Sequence, residues 1–99
     1  PLFDWVWEAG VRTIKAGLGD GMIDSPWRER GVYLGDNVVS TDILAKLSSD
    51  RGISAWTLRL FARSQTEDGL FLAVAPSSGA GSILDYNFLF VEMLRNHIQ

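Results

Sequence analysis

The chain contains no cysteine. Disulfides, thiolate metal sites and a cysteine nucleophile are therefore excluded. Histidine is almost as scarce, with His97 the one example. The serines thus have no credible base partner, and His97 itself reads as a packed or terminal residue rather than a catalyst. Basic charge is short as well: 9 Lys+Arg against 12 Asp+Glu leave a net charge of −3. A nucleic acid or an anionic membrane as main partner calls for a clustered basic surface, which this balance argues against. No apolar run approaches the roughly 20 residues of a membrane span, and no signal-peptide pattern is present. The glycines form no nucleotide loop. Gly17-x-Gly19-x-Gly21 follows a helical pattern and lacks the third spacing, and the Ser/Gly run at 77–82 has no Gly-Lys-Ser/Thr.

What is present is ordinary globular material: 46% hydrophobic and 21% charged residues, too apolar for disorder. Phe3, Val6, Trp7, Val11, Ile14 and Leu18 recur at i, i+3/i+4, i+7 and predict a first helix over Phe3–Leu18. On its opposite face Glu8 and Arg12 stand in the favourable i,i+4 order, and Gly17, Gly19 and Gly21 end it. A second helix is predicted from Val32 to Ser48, with Val38, Val39, Ile43 and Leu47 inward. A third runs from Ser54 to Gln65 on a stripe of Trp56, Leu60 and Phe61, with Gly69 as its stop. Leu70–Ala75 reads as a short strand before Pro76 and a Ser/Gly loop. A fourth helix, Leu84–Ile98, has Ser82-x-x-Asp85 as a capping box. The sum is an all-α chain of antiparallel helical hairpins. Its apolar stripes are wide, as in helices that pack on two sides. The opening Pro1-Leu2-Phe3-Asp4 lacks Met and enters a helical pattern at once, so the chain reads as a segment of something longer.

The chemistry is concentrated at one loop-to-helix junction, Asp24-Ser25-Pro26-Trp27-Arg28-Glu29-Arg30-Gly31-Val32-Tyr33-Leu34-Gly35-Asp36. With a helix already forming near Glu29, the residues Glu29, Tyr33 and Asp36 fall at i, i+4 and i+7 on one face. Asp24, stiffened by Pro26, folds back over that face. Clustered carboxylates suit general acid work, because like charge and burial raise a carboxyl pKa. Arg28 and Arg30 act the other way and are expected to pair with Asp24, Asp36 or substrate rather than with the acid. Trp27 and Tyr33 offer flat surfaces for the C–H face of a sugar ring. The same cluster also reads as an interhelical salt-bridge network with an N-terminal cap, and the residues alone leave both readings open. The carboxylate spacing fits no Ca²⁺ loop and includes no His, so a metal site ranks below both.

Asp24-x4-Glu29-x6-Asp36, with Arg28 before the Glu and an aromatic before Gly35-Asp36, resembles the catalytic motif of bacterial α-L-rhamnosidases, glycoside hydrolase family 78. Phe3-Asp4-Trp5-Val6, Ala62-Arg63-Ser64-Gln65 leading to Asp68-Gly69, and Asp85-Tyr86 extend the resemblance over most of the chain. The resemblance implies a fold built as part of an (α/α)6 toroid of six helical hairpins, of which this chain is an N-terminal part. It implies inverting hydrolysis of terminal α-L-rhamnosides, with Glu29 as general acid. Asp24 and Asp36 then hold the rhamnose hydroxyls and tune the acid, and Tyr33 stands where many members have Trp; Arg28 and Trp27 are added to the substrate-binding set on their own chemistry. Phe90 also stands where an aromatic is common, and is read as core first. The partners implied are a carbohydrate and the remainder of the catalytic domain; no metal or cofactor is implied for the chemistry. The family's base is a Glu late in the toroid, and neither Glu67 nor Glu92 sits in a matching context. The isolated chain is therefore expected to be inactive, and to be marginally stable or self-associating. The alternative is a helical interaction module, or an inactive fragment, whose acidic-aromatic cluster is structural.

Overall fold

The computed structural model describes residues 1–99. Four helices follow in order: α1 Leu2–Ala16, α2 Leu34–Leu47, α3 Gly52–Arg63 and α4 Leu84–Ile98. No strand forms. Two isolated bridges, Leu18 with Met22 and Tyr33 with Val74, are the only β pairing. None of the helices is long and apolar enough to cross a membrane.

The core is shared by α2, α3 and α4 and by the extended segment before α4. Leu34, Val38, Leu58, Phe61, Ala75 and Met93 form one buried cluster. Tyr86, Leu89 and Phe90 pack on it from α4, and the Phe90 ring stacks on Phe71 at 4.1 Å between centroids. Phe90 is thus a core aromatic, as its position in the apolar stripe suggested.

The inward faces of α2 and α3 differ from the expected ones in an instructive way. On α2 the buried residues are Leu34, Asn37, Val38 and Thr41; on α3 they are Ser54, Thr57, Leu58 and Phe61. Each set follows i, i+3, i+4, i+7, so the helical period is right. Half of each stripe is polar, however, and Val39 and Trp56, expected inside, are exposed. The hydroxyls make this burial tolerable: Thr41 donates to the carbonyl of Asn37 and Thr57 to that of Ile53. Small self-satisfied residues let helices approach closely, at the cost of the hydrophobic signal. Ser54 also lies 2.7 Å from His97 Nδ1, which fixes the end of α4 against α3.

Other boundaries are corrected by backbone bonding. Val32 and Tyr33 are extended rather than helical, because Ala75 N–H donates to Val32 O and Leu34 N–H to Ala73 O. That pairing is also as much strand as Leu70–Ala75 achieves. The third helix ends at Arg63, and Gly69 sits beyond it in a turn at φ +84°. The capping box at Ser82 does not form: Ile83 is the N-cap, without a side-chain bond. Glu8 and Arg12 make no ion pair.

α1 stands apart. It has no buried residue, and Phe3, Trp5, Val6 and Trp7 are exposed. Only Ala9, Val11 and Ile14 reach half-burial, the last two beside an apolar groove shared with Ile43 and Leu47 of α2.

Candidate active site

The acidic motif occupies the segment between α1 and α2, at the end of the molecule where α2 and α4 begin. Ser25 accepts from the backbone N–H groups of Trp27 and Arg28, which turns the chain immediately after Asp24. Arg30 then takes a left-handed conformation, φ +54°, which is unfavourable for a residue with a side chain. The reversal is held by a two-way clasp. Asp24 N–H donates to Gly31 O at 2.9 Å, and Gly31 N–H donates to Asp24 Oδ1 at 2.8 Å. A Cβ on Gly31 would lie 2.8 Å from the Tyr33 ring, so only glycine lets that ring fold back over the clasp.

Glu29 is therefore in a turn rather than on the helix, and the helical register expected for Glu29, Tyr33 and Asp36 does not exist. The turn nevertheless delivers them together. Asp24, Glu29, Tyr33 and Asp36 line one open recess of about 190 Å³, and Tyr86 of α4 completes it. Tyr86 reaches the site by packing on Gly35, where a Cβ would sit 2.5 Å from its ring. Its position was visible only as Asp85-Tyr86 at the start of an apolar helix; nothing in the spacing joined it to the acids.

Two members of the expected set lie elsewhere. Trp27 projects from the tip of the turn, 91% exposed, and does not line the recess. Arg28 lies outside the recess as well and pairs with Glu29 itself, Nη2 to Oε1 at 2.8 Å, contrary to the expected pairing with Asp24 or Asp36. The two residues are neighbours in one turn, so the pair forms at short range.

The electrostatics separate the two nearest carboxyls. The hydrogen bond to Asp24 is the main cause of a raised Glu29 pKa. Desolvation and the charges of Asp24 and Asp36 add to it, while Arg28 opposes it. For Asp24, burial works upward, but the bonds from Glu29 and from the Gly31 and Ser25 backbone outweigh it and hold the carboxyl low. The two shifts run in opposite directions: Glu29 holds its proton more tightly than an ordinary glutamate, and Asp24 less tightly than an ordinary aspartate. Tyr86 is pushed up by desolvation and by the charges of Asp36 and Asp85, so its hydroxyl stays a donor. No three His, Asp or Glu side chains are grouped to hold a metal ion.

A family model for the bacterial alpha-L-rhamnosidase 6 hairpin glycosidase domain matches residues 1–89. Neither a curated protein nor a solved structure matches the chain.

Proposed function

The chain belongs to the bacterial α-L-rhamnosidase six-hairpin glycosidase domain family, and from that premise we propose that it supplies the acid half of an inverting rhamnosidase site. The observation that carries the reading is the Asp24–Glu29 carboxyl pair, set in one recess with Asp36 and two tyrosines. Glu29 is the general acid: the hydrogen bond to Asp24, desolvation and the charges of Asp24 and Asp36 raise its carboxyl above the ordinary glutamate value, and it faces open space. Protonating the glycosidic oxygen makes the aglycone a leaving group, while a second carboxylate activates water on the opposite face of the sugar. Asp24, Asp36 and the hydroxyls of Tyr33 and Tyr86 provide acceptors and donors for a sugar's hydroxyls, and the tyrosine rings an apolar surface.

The base comes from elsewhere. Inverting pairs stand roughly 6.5–9.5 Å apart to admit a water, whereas Asp24 and Glu29 share one small recess and shift each other's titration. Glu67 lies exposed in the turn after α3, and Glu92 is paired with Arg95 on α4. A six-hairpin toroid has twelve helices and this chain contributes four. We therefore place it as the N-terminal part of a larger catalytic domain.

Glu29→Gln in an enzyme carrying this segment is expected to lower turnover of an aryl α-L-rhamnoside about 10²- to 10⁴-fold. Stability should barely change, because the carboxyl is exposed. The competing reading, a structural cluster in an interaction module, draws support from the Arg28–Glu29 ion pair. It expects the reverse: altered stability and unchanged turnover. The 99-residue chain by itself should be inactive, and Glu29-dependent turnover by it would overturn the absent base.

A further inference from the structure

Asn37 is the residue next to Asp36, fully buried, and belongs to none of the chemistry above. Its amide nitrogen donates to two carbonyls, Met22 O at 2.9 Å and Tyr33 O at 2.8 Å. These carbonyls lie at the two ends of the segment 23–32, which carries Asp24 and Glu29. One side chain of α2 thus bridges the mouth of the acid-bearing loop. Its orientation is determined: turning the amide over would place Oδ1 against two carbonyl oxygens. Oδ1 is left buried without a donor, a penalty accepted in return for the two donated bonds. The upstream end is anchored a second time, since Met22 is buried and Ile23 N–H donates to Gly17 O at the end of α1. Inside this outer clamp sits the Asp24–Gly31 clasp already described. The two closures are nested, and the outer one is attached to the helix that presents Asp36.

We propose that Asn37 is the positioning residue of the acidic site, holding the Asp24–Glu29 pair at a fixed distance from Asp36. The clamp stands on hydrogen bonds alone; its catalytic meaning rests on the reading of Glu29 as the acid.

Serine at this position is the discriminating variant. A helical serine donates to the carbonyl four residues back, as Thr41 and Thr57 already do. Asn37→Ser therefore keeps the bond to Tyr33 O and loses the bond to Met22 O, opening the clamp while leaving the helix start intact. Thr41→Val, one turn further along the same buried stripe, is the control for a structural loss remote from the loop. The measurement is a ¹³C carboxyl titration of the 99-residue chain. Asp24 and Glu29 should titrate apart in the parent chain; in Asn37→Ser their separation should shrink, and in Thr41→Val it should persist. Unchanged separation in Asn37→Ser, or an equal loss in both variants, overturns the proposal. In an enzyme carrying the segment, Asn37→Ser should lower turnover on the order of a hundredfold through misplacement of the acid. Altered titration with full turnover would keep the clamp and refute Glu29 as the acid instead.

Discussion

α1 and the α2–α4 unit are built from similar letters and end in opposite situations. Phe61 and Leu34 are completely buried, and Met93 nearly so, whereas Phe3, Trp5 and Trp7 of α1 are 87%, 61% and 62% exposed. Both regions carry helical apolar periodicity, and α1 carries it the more cleanly. Periodicity reports which side of a helix avoids water; it does not report whether anything in the same chain covers that side. The comparison also separates two kinds of aromatic residue, those that hold this fold together and those available to something else.

The largest test is to cut one side chain from each region. Phe61→Ala removes a fully buried ring at the centre of the core cluster and should cost about 3–5 kcal/mol. Trp7→Ala deletes a larger side chain from α1 and should change stability by no more than about 0.5 kcal/mol. Denaturant unfolding of the two variants beside the parent chain decides it. Comparable losses would mean that α1 is packed in solution, and the contrast would collapse.

The glycines offer a finer test, one in which the sign itself should differ. Gly10 lies in the middle of α1 with nothing within 4 Å of a would-be Cβ. Gly10→Ala should therefore stabilise by about 1 kcal/mol, the ordinary gain in helix propensity. Gly35 is also helical, but its Cβ would strike the Tyr86 ring. Gly35→Ala must displace that ring or part α2 from α4, so overpacking of about 1–3 kcal/mol cancels or exceeds the propensity gain. Because Tyr86 also lines the acidic recess, Gly35→Ala should perturb that site, while Gly10→Ala leaves it untouched. Thermal unfolding gives the signs, and two stabilised variants would break the distinction.

These contrasts explain how much was legible in the sequence. Four helices, the fourth to its bounds, followed from spacing, because Leu89, Phe90 and Met93 repeat on one side of α4. The acidic cluster followed from chain proximity and the motif. What failed were the partners. Val39 and Trp56 looked like core because they are apolar, yet Asn37, Thr41, Ser54 and Thr57 took the inner positions by bonding to nearby carbonyls. Glu29 looked helical because the i, i+4, i+7 spacing allowed it, but pairing of residues 32–34 with 73–75 delays the helix to Leu34. That pairing is long-range, as is the approach of Tyr86 to Gly35, and neither leaves a local periodic trace. Asn37 was illegible for the same reason: its importance lies in reaching back to Met22 O.

The smallest expected effect is a pH dependence confined to the acidic junction, and its sign differs between two substitutions in the same pair. Glu29 is raised in the folded chain, so its protonated form is favoured by folding. Its contribution is complete below the ordinary glutamate value and disappears as pH rises through the folded value. The stability difference between the parent chain and Glu29→Gln should therefore move against the parent as pH increases through that window. Asp24 is lowered, so its contribution is present above the ordinary aspartate value and is lost as pH falls through the folded value. The difference between the parent and Asp24→Asn should move in the parent's favour as pH rises through that lower range. Solvent screening keeps both trends small, since the recess is open to water. Opposite slopes in denaturant unfolding across the acidic range would establish that the pair shares one proton unevenly. Parallel slopes would show two independent carboxylates, and would remove the asymmetry on which an acid at Glu29 depends.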